Sequence, residues 1–426
     1  MPMETTFYQG EKENKYFIPA LAVKISQYPL EKKIAGMVEE VNDPEVAKKL
    51  VRSIVDKNKH RIPDDFTSTA IVFDGITRFG TIYLWRNISS QNLMYAAGLE
   101  TSFRVVNPVD YHPSMLKFSE ACKACYDDAI DDGIPKQDAR YVLPEGALTR
   151  VIISTTPRYY GKLGAALKGN PVPEIDEMGK TIESILKKEY DMEPTDEKLP
   201  TTWDIRGHLE YFNKGITTNT TYNSEYSMDY GADIDVNSLS LDMCSEASLA
   251  MLAQVVRQRS NLIEIAPVED IAYNSTFIVP PTFTDKIKEN YKEVMQYAHE
   301  IQMGLLEKED TNLVYSLLLG QQARFKLKAK GYGIITTAQE RTEGVAQWEI
   351  RNVIGIPITK ELLAYDEFKH EIGPRCYREN ICTEPPNFRK KFNTCPVQAA
   401  GGAKGKSIEE ILELLDTENI TTINVM

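Results

Sequence analysis

Apolar positions along this chain switch between a period of two and a period near 3.6, and the switches divide it into elements. Residues 18–28 alternate like a strand and lead into helical patterns over 30–40 and 44–58, the second opening at a proline. Residues 67–73 read as a strand, after which Gly75-Ile76-Thr77-Arg78 opens a helix running to about position 86. Helical patterns follow over 113–131 and 136–142, and the apolar run 151–154 fits a strand or a buried helix segment equally. A charged helix over 175–190 ends in the polar, proline-containing stretch 192–200, which reads as a linker between halves. Beyond it come strand-like segments within 211–235, a helix-like run from 246 to 256, a long helix over 285–306 and a helix around Gln347. A glycine-rich hinge at 399–405 precedes a capped amphipathic helix over 407–416.

Length and composition narrow the class. A chain of 426 residues can bury a sizeable core and is expected to form two domains, and no apolar run approaches the roughly 20 residues needed to span a bilayer. Residues 1–15 are polar, without the apolar core of a signal peptide, so a soluble cytoplasmic protein is expected. Six cysteines in this length do not make a disulfide framework. Cys122 and Cys125 read as plain helix residues, while Cys376, Cys382 and Cys395, with His370 as the nearby histidine, fall short of a convincing zinc set, so no metal is expected. A net charge of −13 speaks against a nucleic-acid binder and is compatible with a small anionic substrate held by a few arginines.

The candidate chemistry centres on Gln254-Val255-Val256-Arg257-Gln258-Arg259. Leu249, Leu252 and Val256 recur at helical spacing, which puts Gln254 and Arg257 on one face and turns Arg259 elsewhere. By itself this fits a solvated C-terminal helical turn just as well. Taken together with Arg341 and Ala346-Gln347-Trp348-Glu349-Ile350 downstream, it resembles the flavin-dependent thymidylate synthases, whose signature is Arg-His-Arg on a helix. The central histidine is here Gln258. Gly133-Ile-Pro-Lys-Gln-Asp-Ala-Arg140-Tyr-Val-Leu-Pro144 matches a second family segment, and Val72-Phe-Asp-Gly-Ile-Thr-Arg78 is similar to the strand that leads into the signature helix.

Against that family the chain reads as one module written twice. Arg86 falls where the first signature arginine belongs, 257 − 86 = 171 positions before its counterpart, and Leu167 stands 341 − 167 = 174 positions before Arg341. The resemblance implies an α+β fold of two tandem modules, each a mostly antiparallel sheet with long helices. The first module is expected over 1–200 and the second over 201–370, with a C-terminal tail over 371–426 that carries a terminal helix and has no family counterpart.

What the resemblance implies about roles divides between the halves. Family nucleotide sites draw on two copies, and here the first half keeps Glu100, Ser102, Arg104 and Arg140 while the second keeps Gln254, Arg257 and Arg341. One mixed site, within one chain or between two, is therefore expected. Arg257 is the catalytic candidate, placed to stabilise negative charge on the pyrimidine ring. Arg259, Gln258, Arg158 and His60 are the cofactor-side candidates. The family asparagines that touch flavin correspond to Thr156 and Lys162, and to Lys330 and Thr336 in the second half.

The implied activity is C5 methylation of a deoxyuridine nucleotide, dUMP to dTMP, with FAD as cofactor and methylenetetrahydrofolate and NADPH as co-substrates. Two alternatives stay open: a related C5 modification such as hydroxymethylation of dUMP or dCMP, and a catalytically silent nucleotide-binding or scaffold paralogue. A homodimer that imitates the family tetramer is the expected assembly, with neither nucleic acid nor membrane as partner.

Overall fold

In this computed structural model the strand expected over 67–73 is described as Thr69–Thr77, in the middle of a sheet, and it takes in positions 75–77, which were expected to open the helix. The structure describes residues 4–9, 15–27, 34–53, 55, 69–87, 94–97, 113–197, 215–222, 236–255, 261–344, 346–382, 395–416 and 418–425. Two compact units divide the chain: Met1–Val109 with Leu148–Thr201, and Asp110–Ala147 with Thr202–Met426.

In the first unit β1 (Glu4–Gln9), β2 (Thr69–Thr77), β3 (Met94–Ala97) and β4 (Leu148–Thr155) form an antiparallel sheet in the order β1-β2-β4-β3. Ile71 lies opposite Ile153 and Phe73 opposite Val151, all four fully or almost fully buried, so cross-strand apolar pairs fix the register. The pairing slips by one residue between Asp74 and Ile76, where Gly75 takes a φ of 86°. Helix Arg78–Asn87 starts directly after β2. Helices Pro157–Leu167 and Pro173–Tyr190 approach so closely at Gly179 that a Cβ there would stand 2.5 Å from the Lys168 nitrogen.

The strand expected over 18–28 is instead the helix Phe17–Gln27. Tyr16 and Ala20 are buried against Ala47, Val51 and Val55 of the following helical region, a spacing that strand alternation does not serve. Pro19 also suits a first helical turn.

The second unit repeats the same order, β5-β6-β9-β7, with β5 (Thr217–Thr221), β6 (Ser240–Ser248), β7 (Asn261–Ile265) and β9 (Gln322–Lys330). Helix Leu249–Val255 follows β6, so the stretch 246–248, expected to be helical, belongs to the strand. Helix Tyr332–Glu340 follows β9 as Pro157–Leu167 follows β4. Thr77 pairs with Leu148 and Ser248 with Gln322, which gives offsets of 248 − 77 = 171 and 322 − 148 = 174.

Residues 110–147 complete this second unit. Helix Pro113–Asp131 runs along helix Asp285–Glu307, with Phe118 edge-on to Tyr297 at 5.8 Å and the Asn290 amide donating to Asp128 at 2.9 Å. Stretches 141–146 and 315–320 then cross antiparallel around a bridge between Pro144 and Leu318. Glu145 N–H donates to the Leu317 carbonyl (2.7 Å) and Leu319 N–H to that of Leu143 (2.8 Å). Gly146 N–H donates to Tyr315 (3.1 Å) and Gly320 N–H to Tyr141 (2.8 Å). A shift of 318 − 144 = 174 positions turns each bond into its mate, so the crossing is a local two-fold within one chain.

The tail is part of this unit as well. β8 (Thr276–Val279) pairs antiparallel with β10 (Thr421–Asn424), and Val397, Ile408, Ile411, Leu412 and Leu415 pack with Ile356 in one apolar cluster. The compact units thus cut across the division at 200 and 370: segment 110–147, whose Met115, Phe118, Tyr141 and Val142 are buried, joins the second unit. The architecture is α+β with antiparallel sheets and long helices. Among the described residues no helix is long and apolar enough to cross a membrane.

Candidate functional site

Four of the expected site residues are described, and three of these belong to the second unit. Gln254 is half-buried on the short helix Leu249–Val255. Because that helix begins where β6 ends, its first N–H groups need outside acceptors. The carbonyls of Gln321 and Leu319 take those of Leu249 (3.1 Å) and Ala250 (2.7 Å), and the Ser248 hydroxyl takes that of Met251 (3.0 Å).

Arg140 opens the 3₁₀ turn Arg140–Val142 and is 5 % exposed. Its Nη2 donates to the Ala250 carbonyl at 3.5 Å, which places a first-half arginine against the helix of Gln254 in the same chain. Beside it, Asp138 accepts from Trp348 Nε1 (3.1 Å) and the Thr282 hydroxyl (2.7 Å), and the Tyr141 ring stacks on Trp348 at 6.3 Å. Burial raises the Asp138 carboxyl above its ordinary value, opposed by those two hydrogen bonds and by the nearby Arg140 charge.

Arg341 closes helix Tyr332–Glu340, with its N–H on the Thr337 carbonyl (3.0 Å) and its guanidinium 3.7 Å from Glu340. Two contacts hold this turn in place. A Cβ at Gly355 would lie 2.2 Å from the Arg341 carbonyl oxygen, so only glycine allows the approach, and Arg375 N–H donates to Glu343 at 2.7 Å.

The residues that tie these pieces together include Gln347 and Glu349, which the sequence shows only as part of the downstream motif and to which it gives no role. Glu349, fully buried, accepts from Ser248 N–H (2.6 Å), from the Ser248 hydroxyl (2.5 Å) and from the Tyr141 hydroxyl. Gln347 Nε2 donates to the Tyr141 oxygen at 2.6 Å. Burial raises both Glu349 and Tyr141 above their ordinary values. Arg351, 3 % exposed, donates to the Gly344 (3.4 Å) and Ala346 (3.3 Å) carbonyls and to Glu418 (2.8 Å). The usable signal was the string Gln347-Trp348-Glu349-Ile350-Arg351, where polar groups sit inside an otherwise apolar helical pattern.

Arg158 lies half-buried in the first turn of helix Pro157–Leu167 in the first unit. Two neighbouring positions, which the family resemblance aligns with flavin-contacting asparagines, are engaged within the protein. Thr156 accepts the Tyr159 N–H as a helix cap (3.3 Å), and Lys162 is paired with Glu197 at 2.7 Å. In the second unit Lys330 and Thr336 are exposed. His60, Glu100, Ser102, Arg104, Arg257, Gln258 and Arg259 lie outside the described residues. No cluster of three potential metal ligands occurs among the described residues.

In comparison with known proteins, residues 12–190 match the model of the family described as "Thymidylate synthase complementing protein". None of the curated proteins matches. Among solved structures, the chain is similar to a UMP/dUMP methylase PolB from Streptomyces cacaoi bound with 5-Br dUMP. There the identity is 15% and the TM-score 0.33, over 43% of this chain and 91% of that one. The same methylase bound with 5-Br UMP gives 14%, 0.32, 43% and 89%.

Proposed function

We propose, from the match of residues 12–190 to the family described as thymidylate synthase complementing protein, that this chain methylates C5 of a deoxyuridine nucleotide, dUMP to dTMP. The observation that supports this reading is that Arg140 of the first half donates to the Ala250 carbonyl of the short helix that carries Gln254 of the second. A single mixed site per chain needs those two segments side by side. The equal strand orders, the two offsets and the local two-fold at Pro144 and Leu318 support an internal duplication behind it.

In this reading Arg140, Arg104, Ser102 and Gln254 hold the nucleotide phosphate, and Glu100 and Arg341 complete the substrate-binding set. Guanidinium groups suit a phosphate because two parallel N–H donors match two oxygens. Arg257 is assigned to the pyrimidine ring, where a fixed cation favours developing negative charge. FAD is assigned to Arg259, Gln258, Arg158 and His60, and when bound it supplies the redox capacity that NADPH and methylenetetrahydrofolate require of it. The Thr156 and Lys162 positions give the flavin no amide contact, so its hold falls on those other residues.

The purified protein is expected to show a flavin absorbance band and to convert deoxyuridylate to thymidylate with methylenetetrahydrofolate and NADPH. A colourless protein that binds deoxyuridylate without turnover would favour the silent paralogue, the reading that the changed flavin positions recommend. Failure to bind either uridylate or deoxyuridylate would remove the nucleotide assignment altogether.

A further inference from the structure

We propose that Glu349 is a positioning residue of the nucleotide site: one buried carboxylate locks the Gln254 helix and the Arg140 turn to the segment that follows Arg341. The proposal rests on the functional reading above. It concerns residues that do not touch the nucleotide and act through those that do.

Glu349 collects donors from two other parts of the chain. Ser248, at the head of the Gln254 helix, gives its N–H (2.6 Å) and hydroxyl (2.5 Å), and Tyr141, adjacent to Arg140, gives its hydroxyl. The Ser248 oxygen in turn accepts the Met251 N–H (3.0 Å), so the carboxylate orients the very group that starts the helix. Gln347, two positions before Glu349, closes the loop by donating its Nε2 to the Tyr141 hydroxyl oxygen at 2.6 Å while its side-chain Oε1 accepts Ile350 N–H at 3.1 Å. Arg351 then donates to the Gly344 and Ala346 carbonyls, just beyond the turn at Arg341. A fully buried carboxylate is tolerated only when its oxygens are met by donors, so the network favours one arrangement of all three segments over any partly bonded alternative.

The first unit contains the matching device in simpler described form. Glu174 accepts Thr77 N–H (2.7 Å) and the Thr77 hydroxyl (2.6 Å), and the Thr77 oxygen accepts Gly80 N–H (3.0 Å), again at the end of a central strand where a helix starts. A carboxylate that caps this helix is therefore a shared structural element. The contact from Tyr141 is what turns the Glu349 version into a link to Arg140.

The comparison between the two carboxylates makes the test. Full-length Glu349→Gln, Tyr141→Phe, Ser248→Ala, Ser248→Thr and Glu174→Gln are measured for deoxyuridylate affinity, for kcat and KM, for Tm, and for hydrogen exchange in 136–142, 249–255 and 339–344. Glu349→Gln and Tyr141→Phe are expected to weaken deoxyuridylate binding by about tenfold, the scale of a disrupted charged hydrogen bond, with kcat changed less than about threefold and exchange faster in all three segments. Ser248→Ala should do the same and Ser248→Thr should restore it, since Thr77 fills that role in the first unit. Glu174→Gln should lower Tm without moving the affinity.

Equal losses of Tm in Glu349→Gln and Glu174→Gln with unchanged affinity in both would overturn the proposal. So would faster exchange confined to 249–255 in Glu349→Gln and Tyr141→Phe. Should Glu349→Gln fail to fold, the milder Tyr141→Phe decides by the same readings. A wild-type chain that binds no deoxyuridylate would sink the functional reading instead, and the exchange measurements would still show whether the carboxylate joins the three segments.

Discussion

At the scale of single residues, the best-defined feature is a first-half arginine buried among second-half groups. Arg140→Lys keeps the charge and loses the fork, so deoxyuridylate binding should weaken by about tenfold in a titration, with a smaller change in Tm. Glu349 and Asp138 give a pH prediction with a definite sign. Burial raises both carboxyls above their ordinary values of 4.5 and 3.8, so the folded chain holds their protons more tightly than the unfolded chain does. Their contribution to stability is fully present below the ordinary values and is lost as pH rises through the raised ones. Glu349→Gln cannot titrate there. Its urea midpoint should fall less than that of the wild type as pH rises above the ordinary carboxyl value of 4.5, and a constant gap between the two curves would contradict this. Arg140 was legible in the sequence because it sits inside a long matching motif. Glu349 was visible as part of a motif, but its role was not, since only the fold brings Ser248 and Tyr141 to it.

At the scale of elements, close approach and capping decide how the pieces sit. Gly355→Ala would push a methyl group into the Arg341 carbonyl, now 2.2 Å from where a Cβ would stand. An overpacking cost of about 1–3 kcal/mol is expected by urea unfolding, together with weaker deoxyuridylate binding because the Arg341 turn must move. Ser407→Ala removes a full capping box, in which Ser407 and Glu410 exchange side-chain and backbone bonds. That should cost about 1 kcal/mol and leave nucleotide affinity unchanged. Elements that begin at a sequence signal were read well: the helix expected over 113–131 is Pro113–Asp131, and the one over 407–416 is Ile408–Leu415 between its caps. The strand expected over 18–28 was misread because alternation in a short apolar stretch does not exclude helical burial, and Tyr16 and Ala20 find their partners on a separate helix.

At the scale of the molecule, the second unit is not contiguous in sequence. Residues 110–147 supply it with Phe118, Cys122, Tyr141 and Val142, each fully buried. A fragment of residues 202–426 should therefore fail to unfold cooperatively in urea, and adding a peptide of residues 110–147 should restore a transition. A cooperative transition from the fragment alone would show that the segment is dispensable. The boundary expected near 200 came from a polar, proline-bearing stretch, which marks where a chain can turn but carries no information about where an earlier helix will pack.

The sequence by itself determined the helices with capped or proline-marked starts, the motif strings around Arg140, Gln254 and Glu349, and the near-constant spacing between halves, because each of these is local or is written as a fixed offset. Tertiary structure decided which pieces share a core. It set the pairing of 141–146 with 315–320, the bond from Arg140 to the Ala250 carbonyl, and the meeting of Ser248 and Tyr141 on one carboxylate. These contacts join residues more than a hundred positions apart, and burial of apolar surface, which is non-directional, leaves their choice to the packing of the whole unit.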